Sequence, residues 1–339
     1  MSTSMGSAGE TPAESVCRRF GRILTAMVTP LDERGQLDQN GAEELTRFLL
    51  QDGWNDGVVV NGTTGESFAT SDWEKASMIH SAKRVTTGTG QRVIAGVGST
   101  DTRHSIALAR AAADQQADGL LVVAPYYSRP SQKGLLRHFE AIADSTDLPI
   151  MLYDIPARTG VAIAPETLVA AGRHPNIVAV KDAKGDLASS SWVMKHSSLV
   201  YYSGDDALNL PLLSIGAVGV VSVVGHVAAH RLRALTAAFA QGRVDEALRI
   251  HRELLPVYAG MFRCPGAAST KAALRKLGLP AGPVRGPLVD LDDEETSLLL
   301  ADLADAGLST TLAPGLTAPN ALAGTHGARA GRTGETGGW

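Results

Sequence analysis

Asn176-Ile177-Val178-Ala179-Val180-Lys181-Asp182-Ala183 is a short apolar run, rich in β-branched residues, that closes on one lysine. With no helical period, such a run predicts a strand buried on both faces. A lysine at the mouth of that strand is poorly solvated. Desolvation favours its neutral form and lowers its pKa. A neutral amine can attack a carbonyl and form a Schiff base. The ordinary alternative is a lysine that snorkels from a strand end into water. The surrounding chain bears on which of the two applies.

Similar apolar runs recur on both sides: Ile23–Val28, Gly57–Val60, Arg92–Val97, Gly119–Val123, Pro149–Tyr153, Ile177–Val180, Leu199–Ser203 and Gly219–Val224. Alanine- and leucine-rich segments with helical spacing separate them, among them Ala42–Leu50, Trp73–Val85, His104–Gln115, Lys133–Ala143 and Ala228–Phe239. Strand and helix in alternation imply parallel strands joined by right-handed crossovers. Eight such units over roughly 220 residues predict an α/β fold of the (β/α)₈ TIM-barrel type. An open doubly wound sheet should carry a glycine-rich phosphate loop after an early strand, and Gly96-Val97-Gly98-Ser99 does not complete one. The expected organisation is a flexible leader over 1–20, a barrel over 21–242, a small C-terminal helical subdomain over 243–308 and a disordered tail over 309–339. Three helices, Val244–Phe262, Ser269–Leu277 and Glu294–Ala306, are expected to cap the barrel's flank. The tail, from about Thr310, is Gly/Ala/Thr/Pro-rich without periodicity.

The 339 residues are 44% hydrophobic and 19% charged with a net charge of −4, which fits one large core and implies no nucleic-acid or membrane surface. Cys17 and Cys264 supply neither a disulfide framework nor metal-ligand spacing, and a cytoplasmic setting is expected. Met1 to Ser15 lacks the apolar core of a signal peptide. Asn61-Gly62-Thr63 matches a glycosylation triplet, but nothing else suggests secretion.

Barrel chemistry sits where strands end. After the second run comes Asn61-Gly62-Thr63-Thr64-Gly65-Glu66-Ser67, after the fourth Pro125-Tyr126-Tyr127-Ser128-Arg129-Pro130, and after the fifth Tyr153-Asp154-Ile155-Pro156-Ala157-Arg158-Thr159-Gly160. Glycines flanking two hydroxyls before a helix predict free backbone N–H groups and an anion seat at Thr63-Thr64, unless the segment is an ordinary turn with a threonine cap. Tyr153, Thr63 and Tyr127 could relay the protons that Schiff-base chemistry requires, although tyrosines also pack at barrel mouths and subunit contacts. Arg158 suits bidentate capture of a carboxylate, or is a surface arginine. Glu66, Asp154, Asp205 and Asp206 are read as caps and loop anchors. His226, near the last strand end, is given no role.

These motifs, with Ser203-Gly204-Asp205-Asp206-Ala207, make the chain resemble the dihydrodipicolinate synthase family. That family sits in the pyruvate-dependent class I aldolase superfamily that also holds N-acetylneuraminate lyase. The likeness runs from about Leu24 to Ala306, and Lys181-Asp182-Ala183-Lys184 looks most like actinobacterial members. The resemblance implies that Lys181 forms the Schiff base with pyruvate, that Thr63 and Thr64 seat its carboxylate, and that Tyr153 is the central acid/base. It implies that Tyr127 completes the relay from a partner subunit, that Arg158 binds the carboxylate of aspartate semialdehyde, and that Gly204 and the backbone of Val221 line the pyruvate pocket. No metal or organic cofactor is implied, and the usual assembly is a homotetramer, a dimer of dimers. Lysine-inhibited members carry distinctive His, Asn and Glu side chains at the dimer contact. Those positions here hold Asp72, Lys75, Thr100 and His104, so weak or absent feedback by lysine is expected. Two other readings stay open: a pyruvate lyase acting on a sugar acid or hydroxy-oxo acid, and a non-catalytic small-acid sensor.

Overall fold

The computed structural model describes residues 10–309. The eight strands are β1 Ile23–Ala26, β2 Gly57–Val60, β3 Arg92–Gly96, β4 Gly119–Val123, β5 Ile150–Asp154, β6 Ile177–Asp182, β7 Val200–Ser203 and β8 Gly219–Ser222. Each pairs in parallel with its neighbours in chain order, and β8 closes on β1. Helix α1 (Pro12–Phe20) precedes them. Between and after the strands come α2 Gln39–Leu50, α3 Asp72–Thr86, α4 Thr102–Asp114, α5 Gln132–Ala143, α6 Pro156–Thr159, α7 Pro165–Ala171, α8 Leu187–His196, α9 Asn209–Ser214 and α10 Gly225–Ala240. Four terminal helices follow: α11 Val244–Glu253, α12 Leu255–Arg263, α13 Gly266–Lys276 and α14 Asp293–Asp305. The TIM barrel expected from the alternation is the fold observed.

Two apolar layers hold it. Outward-facing strand residues such as Val58, Leu152 and Val180 pack under the helices with Leu45, Phe139 and Leu232. Inward-facing residues such as Leu24, Val59, Ile94, Met151, Ala179 and Tyr202 fill the interior. Burial of each valine, leucine, isoleucine, phenylalanine or methionine among them stabilises the fold by about 1.5–3 kcal/mol before entropy is counted.

Three expectations are corrected. First, the leader is helical over its last nine residues. Thr11 and Glu14 form a capping box, and Val16 and Phe20, one turn apart, join the barrel's interior cluster from below. The Phe20 ring meets Tyr202 edge-on at 6.5 Å, and the Tyr202 hydroxyl donates to the Gly21 carbonyl at 2.7 Å. Second, Val244–Phe262 is two helices, not one. Leu254 separates α11 from α12, and Pro256 in the first turn of α12 has no N–H to continue the earlier ladder. Third, α3 does not start beside the threonine pair. Its N-terminus is closed by a capping box of Ser71 and Glu74, so Thr63 and Thr64 sit in a separate turn. The proposed tail from Thr310 onward, and the leader before Glu10, lie outside the described residues. Among the described residues no helix is long and apolar enough to cross a membrane.

Candidate active site

β6 extends through Lys181 instead of ending before it, and this fixes the lysine's direction. Alternation along the strand sends Ala179 and Lys181 inward and Val180 outward. In register, Lys181 lies beside Tyr153 of β5 and Tyr202 of β7. Its side chain is 5% exposed, and its amine lies 4.1 Å from the centre of the Tyr153 ring. Among the described residues no hydrogen bond or ion pair engages that amine. Burial lowers its pKa to about 8, with Arg158 pushing the same way and Asp206 pushing back. Gly204, after β7, makes the path possible: a Cβ there would lie 2.7 Å from Lys181 Cγ and 2.8 Å from Cε.

Tyr153 is buried beside it. Burial raises the phenol to about 12, against the opposing pull of Arg158 and the neighbouring Thr63 hydroxyl. At neutral pH it therefore holds its proton and can donate it. The turn after β2 supplies the facing wall. Asn61 and Glu66 adopt left-handed backbone angles, φ 58° and 54°, on either side of the threonine pair. The Glu66 N–H donates to the Thr63 carbonyl at 3.1 Å, and Thr29 Oγ1 donates to the Gly65 carbonyl at 2.7 Å. Among the described residues the N–H groups of Thr63 and Thr64 have no protein acceptor. The free donors expected there are present, supplied by a turn and not by a helix end.

Thr63, Thr64, Tyr153, Arg158, Lys181 and Gly204 line one small cavity of about 90 Å³. Arg158, on the single turn α6, and Gly204 also line an adjoining cavity of about 740 Å³, walled by Leu255, Tyr258 and Phe262 of α12. The arginine thus stands at the junction of an inner and an outer chamber. Val221 packs in the interior cluster that also holds Tyr153, and Val223, just past β8, lines the inner chamber. Tyr127 is 94% exposed, at φ 68°, and joins neither chamber of this copy. Sequence reasoning missed the roof. The expected flank cap reaches over the mouth, where Phe262, Pro265, Gly266 and Ala267 line the inner chamber.

The loop acids act as anchors, as read from the sequence. Asp206 accepts from Ser222 Oγ, Asn209 Nδ2 and the N–H groups of Val223 and Val224. Asp154 accepts from Ile163 N–H at 3.1 Å, and burial lifts it to about 6. His226, held near 4 by burial, stays neutral and accepts from Val28 N–H at 3.2 Å. At the positions expected to blunt lysine feedback, His104 Nε2 lies 2.9 Å from an Asp72 carboxylate oxygen, and the buried Lys75 amine donates to the Thr70 carbonyl. Among the described residues no group of three or more His, Cys, Asp or Glu is placed to hold a metal ion.

Comparison with known proteins agrees with this geometry. The model of the dihydrodipicolinate synthetase family matches residues 19–306. The chain is 56% identical over 289 residues to 4-hydroxy-tetrahydrodipicolinate synthase 2 of Streptomyces coelicolor, covering 85% of this chain and 96% of the relative. It is 55% identical over 292 residues to the corresponding synthase of Acidothermus cellulolyticus, covering 86% and 94%. Among solved structures it resembles the lysine-bound dihydrodipicolinate synthase of Cyanidioschyzon merolae, with a TM-score of 0.83, 40% identity, and coverage of 85% and 99%. A match over nearly all the described residues, on a barrel whose inner chamber holds a buried lysine, a tyrosine and a threonine pair, means that this chain belongs to the dihydrodipicolinate synthetase family.

Proposed function

We propose that this chain condenses pyruvate with L-aspartate 4-semialdehyde to 4-hydroxy-tetrahydrodipicolinate, the reaction for which its relatives of 50–56% identity are named. The observation that carries this is the unpartnered Lys181 amine, depressed to about 8, in one chamber with the free N–H groups of Thr63 and Thr64. At pH 7 about a tenth of such amines are neutral, against about 0.03% at the ordinary value, a gain of roughly 300-fold in nucleophile.

The Lys181 nitrogen attacks the keto carbon of pyruvate, whose carboxylate the Thr63-Thr64 turn receives. Tyr153 gives the proton that leaves with the carbinolamine hydroxyl as water, and the Schiff base forms. The Tyr153 phenolate takes a methyl proton, and the enamine forms. Its carbon bonds to the aldehyde carbon of the second substrate, whose carboxylate Arg158 holds at the chamber junction, and Tyr153 returns the proton to the aldehyde oxygen. The substrate's own amine then displaces Lys181 and closes the ring. Tyr127 of a second copy completes the proton relay with Thr63 and Tyr153, which accords with its exposure in one copy and with assembly as a dimer of dimers.

Two measurements test this. Borohydride with pyruvate should leave one reduced adduct, lost in Lys181→Ala. A coupled assay should show turnover of L-aspartate 4-semialdehyde. In Arg158→Ala turnover should fall while the pyruvate adduct still forms. An adduct without turnover would transfer the chain to the pyruvate lyases of other acceptors, and no adduct would remove it from this chemistry.

A further inference from the structure

The Thr63-Thr64 turn is held from outside the barrel. Glu66, the residue that ends it, is buried at 1% exposure in a left-handed conformation. A non-glycine residue keeps such an angle only where its surroundings over-determine it. The surroundings here come from the last quarter of the chain. One Glu66 oxygen lies 2.6 Å from the amine of Lys271, on α13, which is itself fully buried. The other accepts the N–H of Arg285 at 2.7 Å. The Lys271 amine also donates to the Pro283 carbonyl at 2.7 Å. The Arg285 guanidinium donates to the Ala69 carbonyl at 2.9 Å and to the Glu74 carboxylate at 3.0 Å, which ties the far end of the same loop.

A buried ion pair is weak evidence for stability, because desolvation cancels much of its attraction. Its geometric consequence is firmer. Each oxygen of Glu66 has one fixed partner, both partners lie beyond the barrel, and the left-handed bend between Thr64 and α3 can relax only if they let go.

We infer that the C-terminal segment splints the keto-acid seat, with Glu66, Lys271 and Arg285 as positioning residues that fix the Thr63-Thr64 turn without touching substrate. This rests on the reading of that turn as the seat of the pyruvate carboxylate. The splint explains why the helices after the barrel cover the mouth and not only the flank: the site is incomplete without them.

The test is borohydride trapping across a pyruvate series, which needs no second substrate, with thermal melting of each variant. Glu66→Gln keeps an acceptor for Arg285 but discharges the pair. Its half-saturating pyruvate should rise about tenfold or more while the trapped fraction at saturation stays near that of wild type. Lys271→Met strands a carboxylate and can unfold the chain. Glu66→Gln/Lys271→Met removes both charges and should melt near wild type while still needing the higher pyruvate. A purely structural pair would lower the trapped fraction and leave the midpoint unmoved, and that result overturns the inference. So does a double variant whose midpoint returns to the wild-type value. Wild type that traps pyruvate but does not turn over L-aspartate 4-semialdehyde defeats the proposed reaction and leaves the splint standing. Wild type that traps nothing defeats both.

Discussion

Replacing Lys181 by methionine should make the protein more stable at pH 7 and abolish its chemistry. The unfolded chain holds the lysine proton up to 10.5, whereas the folded chain releases it near 8. Below pH 8 both states are charged, and the folded one carries a charge its surroundings tolerate poorly, so the full penalty applies. Between 8 and 10.5 the unfolded state binds more protons, and stability rises with pH. Above 10.5 both states are neutral and the penalty is gone. A shift from 10.5 to about 8 corresponds to about 3 kcal/mol. The Tyr153 ring beneath the amine can return up to about 2 kcal/mol through its cation–π attraction. Desolvation therefore wins by about 1–3 kcal/mol. Methionine keeps the length and the apolar stem and needs no counter-charge. For a chain of this size the gain is roughly 2–5 °C in melting temperature. The assay is paired melting of wild type and Lys181→Met from pH 7 to pH 10, with borohydride trapping at each pH. The gap should close as pH rises. Wild type that melts at or above the variant at pH 7, or a gap indifferent to pH, would refute the argument that this amine is held against its solvation.

Three further outcomes follow from the same geometry. In Gly204→Ala the new methyl meets the Lys181 stem at 2.7–2.8 Å, an overpacking of about 1–3 kcal/mol, so trapping should slow roughly 10- to 100-fold in a folded protein, and an unchanged rate would show that the stem has another path. Mixed refolding of Lys181→Ala with Tyr127→Phe should restore a fraction of the activity that neither variant has alone, since one site in the hybrid regains both groups; hybrids as inactive as their parents would remove Tyr127 from the partner's site. On the expectation that Asp72, Lys75 and His104 stand where lysine-sensitive members carry other side chains, added L-lysine should leave turnover nearly unchanged, and strong inhibition in a simple titration would contradict this.

The barrel was legible because its strands are buried on both faces, so that β-branched runs such as Gly57–Val60 and Ile177–Val180 stand out without any periodicity. The core of the site was legible for a related reason. Lys181, Tyr153 and the Thr63-Thr64 turn each interrupt or terminate one of those runs, and the fold sends all strand ends to one face. What was not legible depends on contacts distant in sequence. Thr11-Pro12-Ala13-Glu14 carries a local capping signal, but Val16 and Phe20 gain their meaning only from the open bottom of a closed barrel. The roof at Phe262 and Pro265 follows no pattern that points to Thr63, some two hundred residues earlier, because side chains there need only be compact and apolar. Tyr127 is distant for a different reason: a single copy of the chain does not bring it to its own chamber.

Three buried lysines make the underlying distinction. Lys75, Lys181 and Lys271 are each under 9% exposed, and burial depresses the pKa of each. Burial alone therefore does not mark the nucleophile. Lys75 donates to the Thr70 carbonyl, and Lys271 is gripped by Glu66 and the Pro283 carbonyl. Their amines are engaged, and neither residue lines the inner or the outer chamber. Lys181 is the member of the set whose opposing carboxylate, Asp206, is already committed to Ser222, Asn209 and two backbone N–H groups. Asp206 acts on it through space without holding it. A lysine becomes a Schiff-base nucleophile where the protein buries it and spends the neighbouring acceptors elsewhere. Ser222→Ala leaves one Asp206 oxygen with Asn209 as its only donor, and the less committed carboxylate should raise the pH at which trapping reaches half its plateau. A plateau midpoint that stays near 8 in a folded Ser222→Ala protein would mean that burial, and not the commitment of Asp206, keeps this amine available.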